Sequence, residues 1–226
     1  MLKLMFVVAV VGVAVAERKC APPSWRADEG SFGLGLPRIK GDYKPLKERG
    51  HNTVYYDLQN QRTAIRSNIS VGDREADFKI ITDYKAGVRY IINEKKNTCK
   101  VKEIKRSFPE VCIPEKTRFL FDVQLGFAVN GEKTISAKAY FGEFDRRKGR
   151  VGVVATVTSD RNIPVMSYEY GLGKNKYLQS TLFGNVAAPI PSDESGVFSP
   201  PAICNKMYFQ DEEFEVFLGP MAKMLL

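Results

Sequence analysis

The chain has a single histidine, His51, so neither a multi-histidine metal centre nor a triad with a choice of imidazoles can be assembled. It sits in Arg49-Gly50-His51-Asn52, read as a loop entering a strand, and no G-x-S-x-G nucleophile elbow accompanies it. Nothing singles out a pair of carboxylates for acid–base work. Catalysis is not expected. The four cysteines, Cys20, Cys99, Cys112 and Cys204, include no C-x-x-C pair, so structural disulfides are expected rather than a zinc ribbon or a redox site. Three pairings are open from spacing alone. Asp211-Glu212-Glu213 is the densest acidic run but lacks EF-hand spacing. No cofactor is therefore expected, and calcium stays open without an assigned ligand. Asn68-Ile69-Ser70 is a glycosylation sequon placed just after an expected strand, which makes Asn68 the expected glycan site.

Charge adds a weaker indication. The formal net charge is +8, with basic groups at Lys95-Lys96, Lys100, Lys102 and Lys105-Arg106, and at Arg146-Arg147-Lys148 and Arg150. Such clusters attract anionic glycans or a membrane surface, although an ordinary solvated face is the simpler reading. Nucleic acid is not an expected partner: there is no recognition-helix or zinc-finger pattern, and the N-terminus reads as an export signal. In Met1–Ala16, Lys3 precedes an apolar stretch from Leu4 to Val15, and Ala14-Val15-Ala16 fits the small-x-small cleavage rule. The stretch is shorter than the roughly 20 residues a bilayer span needs. The expectation is a signal peptide over 1–16 and one domain over 17–226, exported to an oxidising compartment where cysteines pair.

The elements that must position these groups read as strands. Residues 17–50 are rich in proline, glycine and charge, and read as an extended, turn-rich arm from which Trp25 packs onto the core. From residue 53 short alternating segments follow: Thr53–Leu58 and Gln61–Ser67 around Gln59-Asn60, Ala76–Tyr84 and Val88–Asn93 around a short turn, then Thr98–Ile104. Thr117–Val129 alternates most clearly, with Phe119, Phe121, Val123, Leu125 and Phe127 on one face and Arg118, Asp122 and Gln124 on the other. Asn130-Gly131 then signals a hairpin to Lys133–Phe141, which brings Ile135 and Phe141 alongside. Val151–Thr158, Ile163–Tyr170 and Tyr177–Val186 continue the pattern, and Met207–Leu218 reads as a short amphipathic helix. With no crossover helices between strands, the fold class is all-β and antiparallel, with a minor helix. The apolar faces are the main candidates for function: alternation alone reads Phe119, Phe121, Val123, Leu125, Phe127, Ile135 and Phe141 as packed interior, and the resemblance given next makes them the expected ligand-binding residues.

Several patterns coincide in order: Cys20-Ala21-Pro22-Pro23-Ser24-Trp25, Val54-Tyr55-Tyr56-Asp57, Tyr90-Ile91-Ile92 and Thr98-Cys99-Lys100. Ile163-Pro164-Val165 and Val197-Phe198-Ser199-Pro200-Pro201-Ala202-Ile203-Cys204 complete the set, which spans nearly the whole chain after the leader. The set resembles the ependymin-related proteins. The resemblance implies a secreted or lysosomal glycoprotein built from two stacked antiparallel sheets, a half-open barrel similar to bacterial lipoprotein carriers, with an apolar pocket. It further implies a non-enzymatic binder of a hydrophobic ligand, fatty acid or lipid, that forms homodimers. The alternative it carries is a calcium-dependent matrix or cell-adhesion glycoprotein. It implies pairing of Cys99 with Cys204. The usual partner of the cysteine matching Cys20 stands where this chain has Asn162, so a relocated Cys20–Cys112 bridge is expected.

Overall fold

The computed structural model describes residues 18–36, 38–39, 42–43, 45–126, 134–146, 149–172 and 176–205. The expected signal peptide, the Asn130-Gly131 turn, the helix over 207–218, Asp211-Glu212-Glu213 and Phe127 lie outside these residues. Strands dominate: β1 (Ser24–Leu36), the two-residue pair β2 (Arg38–Ile39) and β3 (Asp42–Tyr43), β4 (Leu46–Asp57), β5 (Arg62–Val71), β6 (Arg74–Asp83) and β7 (Val88–Asn93) come first. After them run β8 (Thr98–Glu103), β9 (Arg118–Leu125), β10 (Ile135–Arg146), β11 (Gly149–Thr158), β12 (Pro164–Leu172) and β13 (Lys176–Ala187). Two 3₁₀ turns, Ser192–Phe198 and Ala202–Asn205, follow.

Eleven strands form one antiparallel sheet in the order β8-β7-β6-β5-β4-β1-β13-β12-β11-β10-β9, while β2 and β3 pair separately. The expected two sheets are thus halves of one hydrogen-bonded sheet, which stays open because its end strands β8 and β9 do not pair. Its centre is β1, in the stretch read from sequence as an arm. Every second residue of β1 from Trp25 is buried, namely Trp25, Ala27, Glu29, Ser31 and Gly33, and only the first two of these are apolar. Hydrophobic alternation is absent because past Ala27 the buried side of this strand is polar or glycine.

The turns follow local chemistry. Between β4 and β5 the chain turns through Leu58–Gln61, where Asp57 accepts from the Asn60 amides and from the Arg62 guanidinium at 2.7–3.1 Å. Gly72 supplies the left-handed φ of 59° that the tight β5–β6 connection requires.

The half-sheet β4–β8 is buried on both faces. Its inner face carries a cluster of Val54, Tyr56, Ile65, Ile69, Phe78 and Ile80 with Trp25, whose ring stacks on Tyr56 at 5.6 Å. Its outer face carries Tyr55, Ala64, Ile81, Ile92 and Cys99, capped by Val197 and Phe198 of the 3₁₀ turns. Burial of each large apolar side chain contributes about 1.5–3 kcal/mol, so this half anchors the fold. Both expected disulfides are present, Cys20–Cys112 and Cys99–Cys204. The first joins a short backbone ladder, with Ala21 N–H donating to Val111 O and Ile113 N–H to Lys19 O, each at 2.8 Å. That ladder forms a strap.

Candidate functional site

The strap covers the inner face of the other half-sheet and leaves a cavity of about 310 Å³ beneath it. Tyr140 and Phe144 of β10, Val153 and Ala155 of β11, Ser167 and Glu169 of β12, and Phe183 of β13 form its floor; Val111–Pro114 and Lys19 form its roof. Register explains the floor. Tyr140 pairs with Ala155, Ala155 with Ser167 and Ser167 with Thr181, so one row of side chains crosses from the cavity to the centre of the sheet. The row ends at Ser31 of β1, directly opposite Thr181. The floor is mainly apolar, with Ser167 and Glu169 of β12 as its polar members beside Phe183 of β13.

Two charged features mark the site. Under the strap, Lys19 Nζ donates to Tyr140 Oη at 3.1 Å and lies 5.0 Å from the centre of that ring. At the centre of the sheet, Glu29 is wholly buried and accepts from Asn52 Nδ2 at 3.0 Å, while Ser67 Oγ donates to Asn52 Oδ1 at 2.6 Å. Burial pushes the Glu29 carboxyl up to about 7; the Asn52 bond opposes that shift and the nearby Glu48 charge adds to it. Gln179 donates to Glu48 at 3.4 Å, and Tyr177 donates to Glu169. The glycine opposite Ser31 gives its hydroxyl room, since a Cβ at Gly50 would stand 2.5 Å from Ser31 Oγ.

Of the residues expected from sequence to bind ligand, the six that are described stand outside this cavity. β9 is an end strand that pairs only with β10, and Phe119 and Phe121 are 50% and 54% exposed. Ile135 is 52% exposed, and Val123, Leu125 and Phe141 are half-buried. None of these six is among the residues around the cavity. Phe119 instead meets the Tyr140 ring edge-on at 5.9 Å, and the Arg118 guanidinium lies 5.0 Å over Phe141. Alternation located a strand correctly; it carries no information on whether that strand stands at the centre or the border. The floor residues Val153 and Ala155 had a readable signal in the alternation of Val151–Thr158. The strap and the polar rows had none.

Asn68 is exposed, within β5 rather than in a loop after a strand, and opposite His51 and Asp77. His51, read as lying in a loop, is within β4. Among the described residues no group of three or more His, Cys, Asp or Glu is placed to hold a metal ion. No helix among them is long and apolar enough to cross a membrane.

On the outer face, β1, β13 and β12 carry a contiguous apolar patch. Leu34 stands opposite Leu178, Gly30 opposite Leu182, and Ser180 lies between Phe32 and Tyr168. Leu178 and Leu182 are more than half exposed, as is Phe32.

A family model described as Ependymin matches residues 73–204. No curated protein matches the chain. Among solved structures, an uncharacterised conserved protein from Thermus thermophilus is similar with a TM-score of 0.47 and 11% identity, over 83% of this chain and 90% of that one. A β-barrel-like protein from Brucella abortus with a domain of unknown function has a TM-score of 0.28 and 10% identity, over 74% of this chain and 98% of that one.

Proposed function

The chain belongs to the ependymin family, and on that premise we propose that it is a non-enzymatic binding protein for a hydrophobic small molecule, a fatty acid or another lipid. The observation that carries this reading is the cavity of about 310 Å³ between the strap and β10–β13. At about 30 Å³ per water-sized group it accommodates roughly ten methylenes. Each buried methylene contributes about 0.8 kcal/mol, a gross of about 8 kcal/mol, so micromolar binding is the expected ceiling. Val153, Ala155 and Phe144 would meet the hydrocarbon, and the Cys20–Cys112 bridge would hold the roof over it.

The protein would act outside the cytosol, secreted or in the lysosome, with Met1–Ala16 as its leader and a glycan on Asn68. The two disulfides support an oxidising compartment. A second reading, an adhesion role in which the sheet serves as scaffold, is favoured by the outer apolar patch. A second copy of the chain is the partner we assign to that patch, because contiguous apolar areas of this kind on a soluble protein mark interaction sites. Calcium and anionic glycans remain partners of that second reading only.

Diphenylhexatriene, an uncharged apolar fluorophore, tests the cavity. Delipidated full-length protein is expected to take it up, and Ala155→Trp, which fills the floor, to abolish uptake with circular dichroism unchanged. No uptake by the parent protein, or full uptake by the variant, would sink the carrier reading.

A further inference from the structure

The interior beside the cavity contains three buried polar atoms without hydrogen-bond partners: Glu29 Oε2, Ser31 Oγ and Thr181 Oγ1. Glu29 and Thr181 are 0% exposed and Ser31 is 7% exposed. They are neighbours, since Glu29 and Ser31 alternate on the inner side of β1 and Thr181 faces Ser31 directly. Leaving such groups unpaired costs about 1–3 kcal/mol each, and native interiors hold few of them. Three on one patch form a set of donors and acceptors that nothing else in the chain satisfies among the described residues. The patch lies beside the cavity, one strand further towards the centre of the sheet, because Ser167 in the floor pairs with Thr181 and Phe183 in the floor pairs with Glu29. With strands about 4.8 Å apart, Ser31 lies about 10 Å from Ser167, within reach of a ligand that already occupies the cavity.

We propose that this patch is the head-group site of the cavity and that it selects an uncharged hydroxyl, so that the ligand is a neutral, alcohol-type amphiphile rather than a fatty-acid anion. The proposal rests on the carrier reading above and specifies its ligand class. A hydroxyl is both donor and acceptor, and can accept from Ser31 or Thr181 while exchanging a hydrogen bond with Glu29. The surroundings reject a carboxylate: Glu48 and Glu169 line the same face as Glu29, in the row on the other side of Ser31 and Thr181. Because burial raises the Glu29 carboxyl to about 7, it is the neutral acid in mildly acidic solution and adds a donor to the set. Lys19 beside Tyr140 lies under the strap, at the other end of the row, and a fatty-acid anion held there would bind in the reverse orientation.

The test displaces diphenylhexatriene from delipidated full-length protein with 1-decanol, decanoate or decylammonium at pH about 6, where the Glu29 acid is mostly protonated. Decanol is expected to bind about tenfold or more tighter than either charged analogue. Ser31→Ala and Thr181→Val are each expected to weaken decanol about three- to tenfold, with decanoate and the fluorophore unaffected. Neither variant should lower the unliganded Tm, since each deletes an unpaired hydroxyl; a merely structural hydroxyl would lower it. Decanoate or decylammonium binding as tightly as decanol overturns the proposal, and so does decanol binding that ignores both substitutions, the result expected if the patch holds water alone. Both outcomes leave the cavity standing as a binding site. Failure of the parent protein to take up the fluorophore instead refutes the carrier reading, and this proposal with it.

Discussion

Replacing Glu29 by glutamine isolates the ionisation of one buried carboxyl. The group has an ordinary value of 4.5 and a folded value of about 7, raised first by burial. Between those values the native chain holds a proton that the unfolded chain has released, so stability falls as pH rises through the window. Each pH unit removes about 1.4 kcal/mol, and the full window removes about 3 kcal/mol. Below about 4.5 and above about 7 this contribution is flat. Glutamine imitates the protonated acid and keeps an oxygen for Asn52. Urea unfolding of Glu29→Gln beside the parent from pH about 4.5 to about 8 should give two curves that nearly coincide in acid and diverge by about 3 kcal/mol in base, the variant being more stable. Asp28 and Asp57 do not enter this window. The Asn185 hydrogen bond leads in holding Asp28 below 3.8, while at Asp57 bonds from Arg62 and Asn60 outweigh the burial that pushes it up. Both contribute stability above that value and lose it only as pH falls further. A stability difference between parent and variant that stays constant with pH would refute the assignment of a raised value to Glu29.

Gly152 lies under the ring of Tyr170, and a Cβ there would stand 2.1 Å from the ring. Gly152→Ala should therefore expel Tyr170 from its place, break its 3.1 Å bond to Glu143 and cost about 1–3 kcal/mol in denaturant unfolding. Cys99–Cys204 closes a separation of 105 residues. Its removal by the double change Cys99→Ser and Cys204→Ser should lower unfolding free energy by about 4–5 kcal/mol, read from urea melts. Leu178→Glu places a charge in the outer apolar patch; light scattering should record twice the chain mass for the parent and the monomer mass for the variant, with little change in Tm.

The half-sheet from Thr53 of β4 to β7 was legible because its strands bury apolar residues and their turns carry recognisable chemistry, as at Asp57-Leu58-Gln59-Asn60, whereas the first half of β4 reads as arm and loop. β1 was not. Its buried positions include Glu29, Ser31 and Gly33, which carry the composition of a loop, and only pairing with β4 and β13 on either side makes a strand of them. The same residues form the polar patch beside the cavity, so the segment hardest to read as structure is also the one on which the proposed ligand choice rests. β9 differs in the opposite direction: of its alternating apolar residues Phe119 and Phe121 are exposed and Val123 and Leu125 half-buried, because the strand stands at the border of the sheet. The cavity could not be located from sequence because its roof, Val111–Pro114, has no periodicity and depends on the Cys20–Cys112 bridge.

An open sheet has two borders, and they are defended unequally. β8 carries Lys100 and Lys102 and is stapled through Cys99 to the second 3₁₀ turn, which discourages a foreign strand from docking. β9 presents Phe119, Leu120 and Phe121 partly bare, with no sheet partner on its far side among the described residues. That border is the template from which misassembly begins, so preparations that are heated or concentrated should fail first by edge-to-edge polymerisation through β9, and a lysine at Leu120 is the place to stop it.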